Sequence, residues 1–322
     1  MPVMLSRDFG SEVTPGSSFV VFDVLLGLSL FFTSCTYFSA LFSKSIVRMM
    51  TWFALIISCW LSCISFLLLV GHQVGGDPSF SLCLFQAGMI YAAPPSAAAA
   101  ALAFVIEIYL RLTTFMTQTL VNNRIITSLL FLPAVTHQVV FWIAIFTGLS
   151  KQEAVQPNPQ NMFCRIDAEL PPAVTGVTVI TFVVIMIMVE LYTIYYLWRR
   201  RTVFREARRH GVGPIFPFKL FIRVGIYTLV AMILISVDVV INFGPTKEST
   251  PALDITAVIP LSIALVFGTQ EDIVHMYMFW KKKSPSSTTH LNIQVDIEQQ
   301  EDGQLKADGF SPSNMNYTCS AV

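Results

Sequence analysis

Hydrophobic residues along this chain come in long runs separated by short polar connections, without the alternation that marks lipid-facing strands. Seven runs are long enough to cross a hydrocarbon core of about 30 Å at about 1.5 Å per residue. They are Val20–Phe42, Trp52–Val70, Leu82–Leu112, Ile125–Phe146, Ala173–Trp198, Phe218–Asn242 and Pro251–Phe267. No water meets the backbone inside a bilayer, so runs this apolar are expected as helices that satisfy their own hydrogen bonds. The pattern predicts an all-α membrane protein, a seven-transmembrane helix bundle. Its third run opens near Cys83, is expected to kink at Pro94-Pro95, and closes with Glu107-Ile108-Tyr109-Leu110-Arg111. The other helices are expected to be arranged around it.

Composition agrees. At 322 residues, 54% hydrophobic and 12% charged, with mean hydropathy +0.64, the chain has too few charges to cover a soluble globule of its size. A net charge of zero gives no bias toward nucleic acid, but the distribution of charge is informative. Connections 43–50, 111–124, 199–219 and 281–283 carry fourteen lysines and arginines, against four on the other side: Arg7, Lys151, Arg165 and Lys247. The positive-inside rule then puts the N-terminus outside and the C-terminus in the cytosol.

Three regions are expected: an extracellular N-terminus over 1–18, the seven-helix domain over 19–283, and a disordered, polar cytosolic tail over 284–322. Residues 1–18 lack the basic-then-apolar order of a cleaved signal peptide, so the first span is expected to direct insertion. Within Thr269–Trp280, Ile273, Met276, Tyr277 and Trp280 fall on one helical face, with acids at the start and Lys281-Lys282-Lys283 after the end. That predicts a short amphipathic helix after span 7, lying on the inner membrane surface or extending the span.

Candidate chemistry sits at both ends of the bundle. Cys83 heads the third span and Cys164 lies in the long loop Leu149–Pro171; they either form a disulfide that draws the loop across the bundle mouth, which is the expectation, or stay as two unpaired thiols. Cys35, Cys59 and Cys63 lie inside spans and read as packing residues. Glu107 and Arg111 are spaced for a helical ion pair, and Glu190 and Arg223 lie at similar depth on spans 5 and 6. Such pairs are either locks that an activating ligand must weaken or static structural contacts. Asp238 and Asn242 share a face of span 6 and, with Gln86, Tyr91, His137 and Gln138, can supply the polar contacts of a mostly apolar ligand pocket. Taken individually, each reads first as an interhelical hydrogen bond of modest worth.

At the cytosolic side Arg199, Arg200, Arg201, Arg205, Arg208 and Arg209 form a basic connection suited to anionic lipid and to a cytosolic protein partner. Of the five histidines only His137 lies in a span, so neither a metal cluster nor a catalytic constellation is expected, and span 7 has no lysine to hold retinal. The chain does not read as an enzyme, and no cofactor is expected.

Seven spans, an outside N-terminus, Cys83 with Cys164, a basic third inner loop and a surface helix after span 7 together resemble the G-protein-coupled receptor superfamily, from Val20 to about Lys283. More narrowly, Cys83-Leu84-Phe85-Gln86-Ala87, Ile90-Tyr91-Ala92-Ala93-Pro94-Pro95 and Phe267-Gly268-Thr269-Gln270-Glu271-Asp272-Ile273 are similar to orphan receptor-like proteins of mushroom-forming (basidiomycete) fungi. The resemblance implies a plasma-membrane sensor that binds an extracellular ligand and signals to a heterotrimeric G protein. The chain departs from rhodopsin-like receptors in having Glu107-Ile108-Tyr109-Leu110-Arg111 in place of Asp-Arg-Tyr. It also has no Trp-x-Pro in span 6, and Pro260 without Asn-Pro-x-x-Tyr in span 7. The alternative is a small-solute transporter whose spans break at Pro94-Pro95, Pro133 and Pro260, although no internal repeat supports it.

Overall fold

The structure, a computed structural model, describes residues 15–42, 49–72, 78–117, 122–158, 162–199, 225 and 251–268. In order these form α1 (Pro15–Phe42), α2 (Met50–Leu67), α3 (Phe80–Thr117), α4 (Asn123–Ser150), a 3-10 turn (Gln152–Ala154), β1 (Val155–Pro157), β2 (Cys164–Ile166), α5 (Leu170–Arg199) and α6 (Pro251–Gly268). The helix α6 is the seventh predicted span. The sixth, Phe218–Asn242, lies outside the described residues except for Gly225, which is helical. The amphipathic segment Thr269–Trp280 and the tail 284–322 also lie outside them.

Among the described residues five helices, α1 to α5, are long and apolar enough to cross a membrane. Their exposed surfaces carry Phe31, Phe131, Phe146, Val177, Met188 and Trp198, side chains that water would not tolerate in such number and that hydrocarbon solvates. The chain is a mostly helical, multi-pass membrane protein.

Local sequence explains several of the helix ends. Pro15 opens α1, where a missing N–H costs no intrahelical bond. The Asn122 side chain caps α4 by accepting from the Arg124 N–H at 3.0 Å. The helix α2 stops at Leu67, three residues before the sequence pattern ends, and the chain then turns through Gly71 at φ 91°, a conformation open to glycine. Hydroxyls inside the spans bond back to their own helix: Ser29 to the Leu25 carbonyl, Thr33 to Ser29 and Thr36 to Phe32 line the buried face of α1.

At the centre lies α3, packed against α2, α4 and α5, while α1 packs against α2 and α6. Its 38 residues span about 57 Å, more than a hydrocarbon core. Small residues, Ala97 to Ala101 and Ala103, let its neighbours approach closely, and Ala100 and Ala101 share a core with Trp52, Leu55, Met186 and Ile263.

The helix runs unbroken through Pro94-Pro95. Pro95 has no N–H to give the Tyr91 carbonyl four residues earlier, and Thr175 of α5 donates its hydroxyl there at 2.9 Å. A neighbouring helix thus meets the group that proline orphans. A second contact, from the Ser96 hydroxyl to the Pro133 carbonyl at 3.2 Å, ties α3 to α4.

The connection between α4 and α5 is folded. Its two strands pair antiparallel, Val155 with Ile166, Gln156 with Arg165 and Pro157 with Cys164. A two-strand hairpin has little stability of its own. This one is held by a Cys83–Cys164 disulfide, with Cα atoms 5.2 Å apart, and by a cluster containing Leu69, Leu84, Ala87, Ala144 and Ile166. Gly148 permits the approach, since a Cβ there would collide with Leu84 and crowd Val155 and Ile166.

Replacing Thr175 with Val should leave the Tyr91 carbonyl without its donor and cost about 1–2 kcal/mol. Thermal unfolding in detergent should show a lower midpoint for Thr175→Val and a near-native one for Thr175→Ser. Identical midpoints for both would rule the contact out as a tie.

Candidate functional site

Two polar clusters lie on α3, one at the hairpin end and one at the far end. At the far end Glu107 is fully buried. Its Oε2 accepts from the Thr51 hydroxyl at 2.5 Å, and its Oε1 accepts from Arg111 Nε at 2.8 Å and Nη2 at 2.6 Å. A buried carboxylate in a bundle is tolerable only with both oxygens met. Here α2 supplies one partner and the next turn of α3 the other. The Arg111 side chain remains 53% exposed, so part of its guanidinium fork faces away from the acid and is open to a second acceptor. Beside this cluster the Tyr109 ring meets Tyr192 of α5 edge-on, with centroids 5.6 Å apart.

At the hairpin end Gln86 is fully buried and bridges three groups. Its Nε2 donates to the Ser65 and Phe66 carbonyls at 3.2 Å each, in the last turn of α2 where intrahelical donors run out. Its Oε1 accepts from the Cys164 N–H at 3.1 Å. Tyr91 grips the next strand position, its hydroxyl donating to the Ile166 carbonyl at 3.3 Å and accepting from the Ile166 N–H at 3.4 Å. Gln86 and Tyr91 were expected to face a ligand. In this structure their side-chain hydrogen bonds go to the hairpin and α2.

The remaining expected contacts are dispersed. His137 is half-buried, stacked on Phe141 with centroids 6.2 Å apart, and its Nε2 has no hydrogen-bond partner among the described residues; Gln138 beside it is exposed. Neither is joined to Gln86 or Tyr91 by a hydrogen bond among the described residues. Glu190 is half-buried on α5, and Arg199 is exposed in its last turn. Asp238, Asn242, Arg223, Arg200, Arg201, Arg205, Arg208 and Arg209 lie outside the described residues. No group of three or more histidine, cysteine or acidic side chains able to hold a metal occurs among the described residues.

An apolar groove of about 370 Å³ lies between α1 and α6, lined by Phe31, Phe32, Cys35, Thr36, Ala264, Leu265 and Gly268. The Thr36 hydroxyl there already donates to the Phe32 carbonyl, leaving carbon as the groove's main surface.

Sequence reasoning passed over Thr51, Thr175 and Ser96, single hydroxyls in apolar runs. It also passed over Met162 and Phe163, an apolar pair in a polar loop directly before Cys164, which was the signal that loop offered.

No protein-family model matches the chain, and no curated protein is similar to it by sequence. What it does must follow from its own residues.

The far-end cluster makes a sharp energetic prediction. Arg111→Ala should cost about 2 kcal/mol, below the full cost of breaking a buried pair because Arg111 is half-exposed. In a Glu107→Gln background the same change should cost under about 0.5 kcal/mol. Unfolding midpoints of the four proteins give the cycle, and additive effects would show that the two side chains are not coupled.

Proposed function

We propose that the chain is a receptor of seven spans that senses a ligand at its hairpin end, outside the cell, and acts on a heterotrimeric G protein at its far end, in the cytosol of the plasma membrane. The observation that carries this reading is that one helix bears both ends of the path. At one end α3 is bonded to the hairpin through Cys83, and about 36 Å along it Glu107 closes the Thr51–Arg111 cluster. A rigid element with a lid at one end and a polar tie at the other can convert a shift at the lid into a changed set of partners for Arg111.

Topology supports the orientation. Tyr192, Tyr195 and Trp198 are exposed at the end of α5 directly before Arg199, the order of aromatic belt and basic flank found at a cytosolic interface. The basic connection that follows supplies Arg200, Arg201, Arg205, Arg208 and Arg209 for lipid headgroups and for an acidic surface on the G protein.

A ligand moves such an equilibrium only by its difference in affinity for the two arrangements. It therefore acts by binding better when the hairpin and α3 have shifted and the Thr51 or Arg111 contact has loosened. The transporter reading leaned on broken spans. It loses ground because α3, α4 and α6 pass Pro94-Pro95, Pro133 and Pro260 as continuous helices.

Purified protein in vesicles with G-protein alpha subunits should accelerate nucleotide exchange and take up no solute. Uptake without exchange would leave the transporter in its place. Replacing Arg199, Arg200, Arg201, Arg205, Arg208 and Arg209 with Gln should lower exchange at least tenfold while surface expression falls less than twofold. Equal loss of both would assign these arginines to insertion or lipid binding alone.

A further inference from the structure

Met162 belongs to a loop, yet it is 1% exposed. It is packed among Phe22 and Leu26 of α1 and Cys63 and Phe66 of α2. Phe163 follows it down, setting its ring edge-on to Phe66 at 5.6 Å, while Phe22 meets Phe66 edge-on from another direction at 5.8 Å. Every other buried member of this cluster comes from a membrane helix.

The wall of this crevice is carbon, aromatic edge and one thiol. The polar groups nearest it are already satisfied, since Gln86 takes the Ser65 and Phe66 carbonyls and the Cys164 N–H. A guest would therefore gain by shape and by aromatic and sulfur contacts rather than by hydrogen bonding. The backbone that presents them is anchored, by the Cys83–Cys164 disulfide and by the Asn158 N–H, which donates to the Phe163 carbonyl at 2.7 Å, so only the two side chains fill the crevice.

We propose that the crevice between the hairpin-end halves of α1 and α2 is a ligand site for an uncharged, apolar molecule bearing an aromatic ring, and that Met162 and Phe163 are its built-in occupants. The consequence for signalling rests on the receptor reading; the site does not. In that reading the ligand displaces the two side chains and moves the strand to which Gln86 and Tyr91 are fastened.

Cys63 is buried within this cluster and is not in the disulfide, which makes it a native reporter. In full-length protein with Cys35, Cys59 and Cys319 replaced by Ala, thiosulfonate reagents report access, because the Cys63 thiolate displaces methanesulfinate and forms a mixed disulfide. With the native loop, benzyl methanethiosulfonate and its cationic aminoethyl counterpart should both react slowly. With Met162→Ala and Phe163→Ala together, the benzyl reagent should react at least tenfold faster and the cationic one less than threefold faster.

An unchanged benzyl rate, or an equal rise for both reagents, would overturn the site. Mass spectrometry of the Cys83–Cys164 peptide checks that the hairpin is still anchored. Should the double variant lose that bond, Phe163→Ala alone gives the same comparison, where a benzyl preference above threefold supports the site and none overturns it. Basal nucleotide exchange is read separately. Selective benzyl labelling with unchanged exchange supports the crevice and counts against the receptor reading.

Discussion

Hydrocarbon offers no hydrogen bonds, and that constraint determines how this bundle is tied together. Four polar residues of α3 find partners on neighbouring elements. Gln86 reaches α2 and the hairpin, Tyr91 the hairpin through its hydroxyl and α5 through its carbonyl, Ser96 α4, and Glu107 α2 again. Apolar packing alone discriminates poorly among helices in a solvent as apolar as they are. The polar ties therefore give α3 its register against each neighbour. Its small residues then allow the contact to be close.

Much of this was legible in advance because the strongest signals are physical necessities. A run of more than twenty apolar residues has few alternatives to a helix in a bilayer, and the five spans from Val20 to Trp198 coincide with α1 to α5 to within five residues at either end. Glu107 and Arg111 stood out because charge is rare in such runs, and Cys83 with Cys164 because one heads the third span and the other lies in the long loop expected on the same side. What the pattern could not supply was partnership across sequence. Thr51 lies 56 residues from Glu107 and Thr175 lies 84 from Tyr91, and a hydroxyl in an apolar run is as well served by its own helix.

The hairpin was hidden for a different reason. Three-residue strands leave no period to detect, and Pro157 within one of them reads as loop. Its burial alternation, with Cys164 and Ile166 inward and Arg165 outward, is visible only once the face beneath it is known. Gln86 and Tyr91 stand in the sequence as candidate polar contacts of a ligand pocket, and their side-chain hydrogen bonds go to α2 and the hairpin. The nearest partner proved to be the protein's own loop, so the mouth of the bundle comes already furnished with contacts that a ligand would otherwise make.

The helices differ in how they are held. Near its hairpin end α5 is fastened to α3 by the directional bond from Thr175, reinforced there by the hairpin that leads into it. Farther along it meets α3 through Met186 in the shared core and through the Tyr192 ring against Tyr109. Tyr109 stands between Glu107 and Arg111 in sequence, so the ring contact brings α5 to the turn of α3 that carries the buried cluster. In the receptor reading, a disturbance of the hairpin therefore reaches the Glu107 cluster along α5 as well as along α3, because Tyr91 and Tyr109 join the two helices at both levels.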